Sequence, residues 1–285
     1  MKRFNDKDWK EIDKIIDTAL TEDIGSGDIT TEAIFNKYKS TSAVIIAKED
    51  GILAGIDVAE RVFKKVDPDV NFKILVSDSE NICRGLNIVR INGDVRSILK
   101  AERTALNFLG RMSGIATLSY EFVKRIKGTK AKILDTRKTA PVLRILEKYA
   151  VNAGGGYSHR MGLYDMFLIK DNHIKAAGGL EKAIKRVIEF RKEKRKNFKI
   201  EAEAENIEQV RTALSEGVDR IMLDNMNLRM IKKAVEITKG KVEIEVSGNV
   251  NLNNVSPIAS LGVDYISIGS ITHSAKIIDF SLAII

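Results

Sequence analysis

The second half of the chain alternates between short apolar runs and longer amphipathic stretches. From about Lys130 onward, each apolar run is rich in β-branched residues and ends in polar ones. The runs are Ala131–Lys138, Phe167–Asp171, Lys199–Glu203, Arg220–Asn225, Lys241–Ser247 and Tyr265–Gly269. Helix candidates between the later runs are Ile207–Glu216, Leu228–Lys239 and Leu252–Leu261. Short strands that alternate with helices predict a parallel α/β architecture. A period of about 20–25 residues per unit favours a barrel, without excluding a doubly wound sheet.

The first part of the chain shows a different pattern. A helix candidate at Trp9–Leu20 leads into the polar turn Thr21–Thr30. Alternating segments such as Thr41–Lys48 and Asn71–Val76 follow, with glycine and aspartate turns between them. This mixture predicts a separate small α+β domain, which the helical stretch Lys100–Gly110 joins to the rest.

Polar residues stand at the C-terminal ends of the predicted strands. They are Arg137, Lys138, Lys170, Asp171, Glu203, Asp224, Ser247, Gly248 and Gly269. A strand that is buried on both faces has little reason to carry a charge unless the charge has a partner or a function. In parallel α/β folds these strand ends are where ligands bind. The pattern therefore predicts a binding site along the whole rim.

Composition excludes few functions. The 285 residues include 47 Lys and Arg against 39 Asp and Glu, so the formal net charge is +8. A basic balance fits nucleic acid, an anionic membrane surface or an anionic small substrate. The densest basic run, Arg186–Lys199, is broken by glutamates and is interpreted as a solvated helix end. The net charge alone therefore selects no ligand.

The sequence predicts a cytoplasmic protein. Its N-terminus alternates charges without an apolar segment, which is unlike a secretion signal. No apolar run approaches the roughly 18–20 residues that span a bilayer. The single cysteine, Cys83, excludes an internal disulfide and a paired-thiol motif, and fits a reducing compartment.

Two segments indicate anion binding. Arg137 and Lys138 end a predicted strand, and Pro141 is well placed to begin the next helix. Fixed cations beside a helix N-terminus make a good anion site. In the segment Gly154–Asp171, three consecutive glycines allow the backbone to approach a ligand closely. The cationic candidates of this segment are His159, Arg160 and Lys170.

The later strand ends add carboxylates and a phosphate-binding turn. Glu203 and Asp224 are candidates for three roles: an acid/base pair, Mg2+ ligands or acceptors for ribose hydroxyls. Ser247–Gly248 and Gly269–Ser270 offer backbone N–H groups suited to phosphate. The three histidines fit no compact zinc motif, so structural zinc is disfavoured. Together the residues predict a small, multiply anionic substrate beside a phosphorylated sugar.

Seven stretches resemble the quinolinate phosphoribosyltransferase family, also called carboxylating nicotinate-nucleotide pyrophosphorylase. They are Glu22–Thr30, Glu102–Thr117, Ile133–Thr139, Leu146–Ile174, Ile221–Met226, Glu245–Val250 and Ile268–Ser274. They span nearly the whole chain in the family's order, and the stretch from Leu146 is highly specific.

The resemblance implies an open α/β barrel, TIM-like but incomplete, beside a smaller N-terminal α+β domain. Residues 1–108 are expected to form the small domain, residues 109–270 the barrel, and residues 271–285 to pack back on the small domain. The family's dimers share active sites between subunits, so a homodimer is expected, with higher assembly left open. No nucleic-acid or membrane partner is expected.

The resemblance also assigns site residues. Those implied to hold the quinolinate carboxylates are Arg103, Arg137, His159, Arg160 and Lys170, with Arg103 and Arg144 reaching across the dimer interface. Those implied to hold 5-phosphoribosyl 1-pyrophosphate are Lys138, Glu203, Asp224, Ser247, Gly248, Gly269 and His273. The implied catalytic residues are Lys138, Lys170, Glu203 and Asp224. Mg2+ is expected at Glu203 and Asp224, directly or through water or the donor, with no organic cofactor.

The implied reaction joins quinolinate to the phosphoribosyl donor and yields nicotinate mononucleotide, CO2 and pyrophosphate in de novo NAD biosynthesis. The sequence departs from the family's frequent residues at Gly110, Ala140, Ser158 and Asn249. None of these departures removes a charged ligand group. Gly110 and Ser158 leave the loop shape and the substrate affinity open.

Three alternatives compete with this interpretation. A sister enzyme on the same fold, either a phosphoribosyltransferase without decarboxylation or the molybdenum-operon relative, is disfavoured by the retained arginines. A Schiff-base aldolase would use Lys170 as its nucleophile, and borohydride trapping would reveal it. A nucleic-acid-binding protein would use the +8 charge but would leave the polar strand ends unexplained.

Overall fold

The protein was analysed as a computed structural model that describes residues 4–195 and 197–285. Two compact units divide the chain. The first unit extends to Tyr120 and includes Thr139–Gly155 and Ser270–Ile285; the second contains Glu121–Lys138 and Gly156–Gly269. The predicted segments 1–108 and 109–270 stay a prediction; their boundary falls inside the long helix Val95–Arg125.

The elements follow the predicted alternation of strands and helices. The helices are α1 (Asp6–Ile24), α2 (Ile29–Ile34), α3 (Ile56–Val66), α4 (Val95–Arg125), α5 (Arg144–Ala153), α6 (Asp171–Ala177), α7 (Leu180–Glu193), α8 (Ile207–Ser215), α9 (Leu228–Thr238), α10 (Val255–Ala259) and α11 (Ser270–His273). The strands are β1 (Ser40–Ala47), β2 (Gly51–Ile52), β3 (Asn71–Ile74), β4 (Asn81–Ile82), β5 (Asn87–Asp94), β6 (Lys132–Leu134), β7 (Phe167–Ile169), β8 (Ile200–Ala204), β9 (Arg220–Asp224), β10 (Glu243–Ser247), β11 (Tyr265–Ser267) and β12 (Phe280–Ile284).

Short polar side chains set several helix starts. The Asn5 side chain accepts hydrogen bonds from the N–H groups of Lys7 and Asp8, and the Asp8 carboxylate accepts one from the Asn5 N–H. Helices α8 and α9 begin after Asn206 and Asn227, which cap them in a similar way. Such caps contribute about 1 kcal/mol each and fix where the chain turns after a strand.

The first unit contains an antiparallel sheet in the order β12-β1-β5-β3. Strand β1 pairs with β5 on one side and with β12 on the other, so a late segment of the chain completes an early sheet. The fully buried side chains of Ile45, Ile91 and Phe63 belong to its core, which helix α3 helps to cover. This arrangement confirms the predicted small α+β domain.

Glycines on α4 allow close packing against the segment that precedes β12. A Cβ atom at Gly114 would lie 2.0 Å from the Lys276 carbonyl oxygen, and one at Gly110 would lie 2.7 Å from the Ile278 oxygen. The Ile278 N–H donates to the Gly110 carbonyl at 3.2 Å. The departure at Gly110 therefore has a physical reason, because a larger residue would displace this backbone.

The second unit contains a six-stranded parallel sheet in the order β6-β11-β10-β9-β8-β7. From β7 to β11 each strand lies beside the one before it, and β6 pairs with β11. A doubly wound sheet would reverse its direction at a switch point, and this order does not. The sheet is open between β6 and β7, its two edges, which confirms the open barrel.

The open edge of β6 is partly occupied by the segment that follows the three glycines. Tyr157 forms a parallel bridge with Leu134: its N–H donates to Ile133, and its carbonyl accepts from Asp135. This pairing carries the chain along β6 and places the next residues at the end of the strand.

Within the described residues, no helix is long and apolar enough to cross a bilayer.

Candidate active site

The ends of β6 to β11 form what we call the rim, which consists of the strand-end residues Arg137, Lys170, Glu203, Asp224, Ser247 and Gly269. The Glu203 carboxylate is held by two donors. Its Oε1 lies 3.1 Å from Lys170 Nζ, and its Oε2 accepts the N–H of Asp171 at 3.0 Å. Glu203 is 8% exposed, so two donors fix the direction of a nearly buried carboxylate.

Asp224 lies near Glu203 on the adjacent strand. Burial raises the pKa of Asp224, and the negative charge of Glu203 raises it further. Its carboxylate accepts a hydrogen bond from Asn225 Nδ2 at 2.9 Å. Two repelling carboxylates are stabilised by a cation or by hydroxyl donors placed between them. This pair therefore fits either Mg2+ or the hydroxyls of a sugar.

The turn after β10 requires a glycine. Gly248 has a φ of +92°, and a Cβ there would lie 2.2 Å from Asn225 Oδ1. Asn249 follows with a φ of 52° and donates from Nδ2 to Asn225 Oδ1 at 3.0 Å. Asparagine tolerates the left-handed conformation better than most residues, which explains how it replaces the family's frequent second glycine.

Two guanidinium groups lie together on the cationic side of the rim. Burial lowers the pKa of Arg160, and the nearby positive charge of Arg137 lowers it further. Arg160 Nη1 also donates to the Met166 carbonyl at 3.4 Å. Lys138 follows Arg137 and is exposed, with its N–H donating to Thr136 Oγ1 at 3.0 Å. Paired, partly buried guanidiniums suit an anion with two carboxylates.

His159 points into the barrel interior. Its Nε2 lies 3.2 Å from Glu201 Oε2 and 3.3 Å from Glu245 Oε1, and its side chain is only 6% exposed. Its backbone N–H donates to Asp135 Oδ1 at 2.7 Å. The N–H of Arg160 donates to His159 Nδ1, also at 2.7 Å. Both ring nitrogens therefore contact protein groups.

The charges around His159 oppose one another. Burial would lower the pKa of His159, but the Glu201 and Glu245 carboxylates raise it to about 9. That pKa favours a doubly protonated ring, whereas the Arg160 N–H favours an Nδ1 without a proton. Both observations place a proton on Nε2, and the 2.7 Å hydrogen bond from the Arg160 N–H makes Nδ1 an acceptor.

Glu201 and Glu245 differ although both are fully buried. Burial and the neighbouring Glu245 raise the pKa of Glu201 to about 7. Burial would also raise the pKa of Glu245, but His159 and Arg220 lower it. Arg220 Nη1 lies 2.9 Å from Glu245 Oε2, and its guanidinium stacks at 3.9 Å over the Tyr265 ring. We call His159, Glu201, Arg220 and Glu245 the inner cluster.

Three members of the inner cluster, Glu201, Arg220 and Glu245, were not predicted from the sequence. Glu201 and Glu245 stand two residues before Glu203 and Ser247, hence on the same inward face of their strands. Arg220 begins the strand between them. A charge at every second position of an otherwise apolar strand was the signal that could have found them.

The remaining predicted residues belong to the first unit. Arg103 is exposed on α4. Arg144, the first residue of α5, donates from Nε to Thr139 Oγ1 at 3.0 Å. His273 Nδ1 lies 2.6 Å from Ser274 Oγ at the end of α11. The rim residues of the second unit are thus brought together, whereas these three are placed on separate helices of the first.

A buried ion pair in the first unit was also missed. Arg111 Nη2 lies 2.7 Å from Glu147 Oε1 and donates to the Thr272 carbonyl. Glu147 Oε2 accepts the N–H of Ala140 at 3.3 Å. The pair therefore ties together α4, α5 and the segments beside Thr139 and His273, which sequence spacing does not reveal.

The fold and the rim define a class of protein, an open parallel α/β barrel with charged side chains gathered at the ends of its strands. A family model described as quinolinate phosphoribosyl transferase, C-terminal domain, matches residues 115–283. The model of the N-terminal domain of the same family matches residues 28–113. The chain belongs to the quinolinate phosphoribosyl transferase family.

Relatives extend over nearly the whole chain. Quinolinate phosphoribosyltransferase (decarboxylating) 2b, mitochondrial, from Nicotiana tabacum is 44% identical and covers 97% of this chain, which spans 82% of that protein. The probable nicotinate-nucleotide pyrophosphorylase (carboxylating) of Bacillus subtilis is 40% identical, with 95% and 93% covered. The structure of the nicotinate-nucleotide pyrophosphorylase from Francisella tularensis matches with a TM-score of 0.92 at 41% identity, covering 97% of this chain and 96% of that one.

Proposed function

We propose that the protein is a decarboxylating quinolinate phosphoribosyltransferase of de novo NAD biosynthesis. It joins quinolinate to 5-phosphoribosyl 1-pyrophosphate and releases nicotinate mononucleotide, CO2 and pyrophosphate. The observation that carries the proposal is the rim, where the Arg137 and Arg160 guanidiniums lie within electrostatic reach of the Glu203–Asp224 carboxylate pair. The guanidinium half of the rim suits a dianion, and the carboxylate half suits a sugar with its cation.

The quinolinate subsite uses the cations of the rim. Arg137 and Arg160 can each form two parallel hydrogen bonds with a carboxylate, and Lys170 supplies a movable point charge. Arg103 completes the set from a second subunit, and Arg144 also serves the interface. Quinolinate enters as a dianion, so its binding relieves the repulsion between the neighbouring guanidiniums.

The donor subsite uses the opposite half of the rim. The Gly248 turn and Gly269 offer backbone N–H groups to the 5-phosphate. Lys138 and His273 serve the pyrophosphate, and Ser247 contributes a hydroxyl. Glu203 and Asp224 hold the ribose hydroxyls or Mg2+. When bound, Mg2+ neutralises charge on the departing pyrophosphate.

Bond making and bond breaking proceed mainly through positioning and charge. The pyridine nitrogen attacks the anomeric carbon while the carbon–oxygen bond to pyrophosphate breaks and its electron pair leaves with pyrophosphate. Glu203 and Asp224 stabilise the positive charge that develops on the ribose. The resulting pyridinium then accepts the electron pair of the carbon–carboxylate bond. CO2 leaves, and a proton takes its place on the ring.

Lys170 connects the two subsites. Its ammonium contacts Glu203 at 3.1 Å, so the same side chain can respond to donor and to quinolinate. The ion pair engages the amine with a carboxylate, which opposes its use as a Schiff-base nucleophile. The aldolase alternative is therefore disfavoured.

The expected assembly is a cytoplasmic homodimer with shared sites and no nucleic-acid or membrane partner. Arg103 supports this part of the proposal because it is exposed on α4 rather than engaged in the core of its unit. Higher assembly stays open.

Product formation tests the function directly. The protein is incubated with quinolinate, the phosphoribosyl donor and Mg2+, and nicotinate mononucleotide and CO2 are measured. Formation of both in equal amounts supports the proposal. Formation of a ribosylated product that retains both carboxylates would assign the sister activity instead, and no turnover would overturn the proposal.

A further inference from the structure

Two carboxylates of the inner cluster, those of Glu201 and Glu245, have no role in the proposed chemistry. Glu201 and Glu245 are both 0% exposed and stand two residues before the rim residues Glu203 and Ser247 on their strands. Burying two carboxylates side by side is costly unless specific partners compensate. A pair maintained at that cost calls for a function beyond packing.

The partners of the two carboxylates converge on one side chain. Glu201 Oε2 and Glu245 Oε1 both face His159 Nε2, and Arg220 neutralises the far oxygen of Glu245. Among the described residues, both oxygens of Glu201 and Oε1 of Glu245 lack a hydrogen-bond partner, so the two oxygens nearest His159 face it as ion-pair contacts. The geometry of the cluster is therefore organised around the imidazole rather than around a closed network of ion pairs.

The imidazole in turn holds the backbone that carries Arg160. His159 Nδ1 accepts the Arg160 N–H, and the His159 N–H is fixed by Asp135 at the end of β6. The preceding Tyr157 is paired with β6, but the chain leaves that strand at His159. Without an anchor for the ring, the orientation of the Arg160 guanidinium beside Arg137 would depend on a loop.

We infer that Glu201 and Glu245 are positioning residues that clamp His159 and, through it, set Arg160 for the substrate carboxylate. They act through His159 and do not touch the substrate. The inference rests on the proposed function for the identity of the ligand, but the clamp itself is a property of the protein alone. Such supporting contacts are known to govern how well a binding side chain is oriented.

A bound metal is the main competing explanation. The ligand atoms of His159, Glu201 and Glu245 lie within 4.8 Å of one another, which is compatible with a metal ion. Arg220 already supplies a cation at 2.9 Å from Glu245, however, and a second cation there would be repelled. The cluster therefore fits a clamp better than a metal centre.

Three near-isosteric variants separate the clamp from ordinary stability effects. Glu201→Gln and Glu245→Gln weaken the contact with His159. Glu243→Gln is the matched control, because Glu243 lies on the same strand as Glu245 and pairs with Arg220 and Lys199 but is not among the contacts of His159. Each variant is compared with the wild type for its unfolding temperature and for KM and kcat with each substrate.

The expected result is selective. Glu201→Gln and Glu245→Gln should raise the KM for quinolinate by about ten-fold or more, since a charge-assisted contact is lost, and change the KM for the donor by less than about two-fold. Glu243→Gln should change neither KM by more than about two-fold. Equal effects of all three variants on both substrates would reduce the cluster to a structural role and overturn the inference.

A spectroscopic measurement tests the clamp without any substrate. The chain has three histidines, so the ring nitrogens of His159 can be assigned by their loss in His159→Asn. Nitrogen-15 spectra of the wild type should show Nε2 protonated, and the two clamp variants should shift these resonances while Glu243→Gln leaves them in place. Unchanged resonances in both clamp variants would overturn the inference, as would one tightly bound metal ion per chain that Glu201→Gln removes. If wild-type protein fails to use quinolinate, the proposed function fails while this measurement still decides the clamp.

Discussion

Glu201 and Glu203 are two residues apart on one strand, yet they behave as different groups. Glu203 lies at the rim, where Lys170 and the Asp171 N–H reach it. Glu201 lies one layer deeper and faces His159. The same step separates Ser247 from Glu245 on β10. Depth along a barrel strand, rather than residue type, thus distinguishes the groups that we propose to meet a ligand from the groups that we infer to orient them.

The two layers also differ in how their charge is compensated. At the rim, Asp224 and Glu203 repel each other, and the resulting rise in the pKa of Asp224 marks a place prepared for a cation or a hydroxyl. In the inner cluster, Arg220 and His159 already provide the compensation, and the pKa of Glu245 is lowered accordingly. Rim substitutions should therefore remove direct contacts with ligands, whereas inner substitutions should act on quinolinate only through the geometry of His159 and Arg160 and should also change stability.

The largest effect should come from removing a rim cation. Lys170→Ala and Arg103→Ala should each be nearly inactive, because losing one partner of a charge pair in a bound complex costs about 3–5 kcal/mol. Lys175→Ala is the control, since Lys175 is exposed on the adjacent helix. Mixed with exchange of subunits, the two inactive variants should regain about a quarter of wild-type sites if sites are shared in a two-fold dimer. No recovery despite verified exchange would place Arg103 within its own subunit.

A smaller substrate should expose the same cations. Nicotinate lacks one of the two carboxylates of quinolinate, so part of the positive charge at the rim would stay uncompensated, at a cost of about 2–5 kcal/mol. We expect turnover of quinolinate and very little of nicotinate in parallel assays. Comparable kcat/KM values for the two acids would contradict the assignment of Arg137 and Arg160 to a dicarboxylate.

Asp224→Asn should separate the two halves of the rim. The carboxylate is assigned to ribose or Mg2+, so the donor should bind about 1–3 kcal/mol more weakly while quinolinate changes little. Calorimetry with each ligand separately measures both, and Glu208→Gln on the exposed face of α8 serves as the control. Lost quinolinate binding with unchanged donor affinity would reverse the assignment.

The smallest effect concerns the pH dependence of stability in the inner cluster. The pKa of Glu201 is raised to about 7. The stability that this side chain contributes is therefore present below its unfolded pKa and is lost as pH rises through about 7. Because a glutamine cannot ionise, the free energy of unfolding of Glu201→Gln should exceed that of wild type between about pH 5 and about pH 8. The expected difference is on the order of 1–3 kcal/mol.

Glu245→Gln is the comparison for that measurement. The pKa of Glu245 is lowered, so its contribution is present above the unfolded pKa and is lost as pH falls. This variant should therefore be less stable than wild type near neutral pH and should approach it in acid. Urea unfolding at several pH values checks both variants, and equal pH slopes would contradict the opposite roles given to the two carboxylates.

Much of the rim was predictable from sequence because its residues end apolar runs. Lys170, Glu203 and Asp224 were found in this way, and the resemblance added their roles. The open side of the barrel was not derivable from periodicity, since it depends on whether β6 and β7 pair. The resemblance supplied it, and the strand order confirms it.

The inner cluster escaped prediction for a physical reason. Charges inside Lys199–Glu203 and Lys241–Ser247 were read together with the polar ends of these runs, so the alternate positions were not separated by depth. Only three-dimensional packing shows that Glu201, Glu245 and His159 meet. The pair of Arg111 and Glu147 was missed for a similar reason, because its two residues are 36 positions apart and only packing brings them together.

The pairing of late strands with early ones governs when each unit can complete itself. Lys132 on β6 is matched with Tyr265 on β11, and Ala43 on β1 with Ile284 on β12. Closing such long loops before any contact is gained costs entropy and slows folding. A growing chain therefore cannot finish either sheet until β11 and β12 have emerged from the ribosome. The two units should complete their sheets at nearly the same stage of synthesis rather than one after the other.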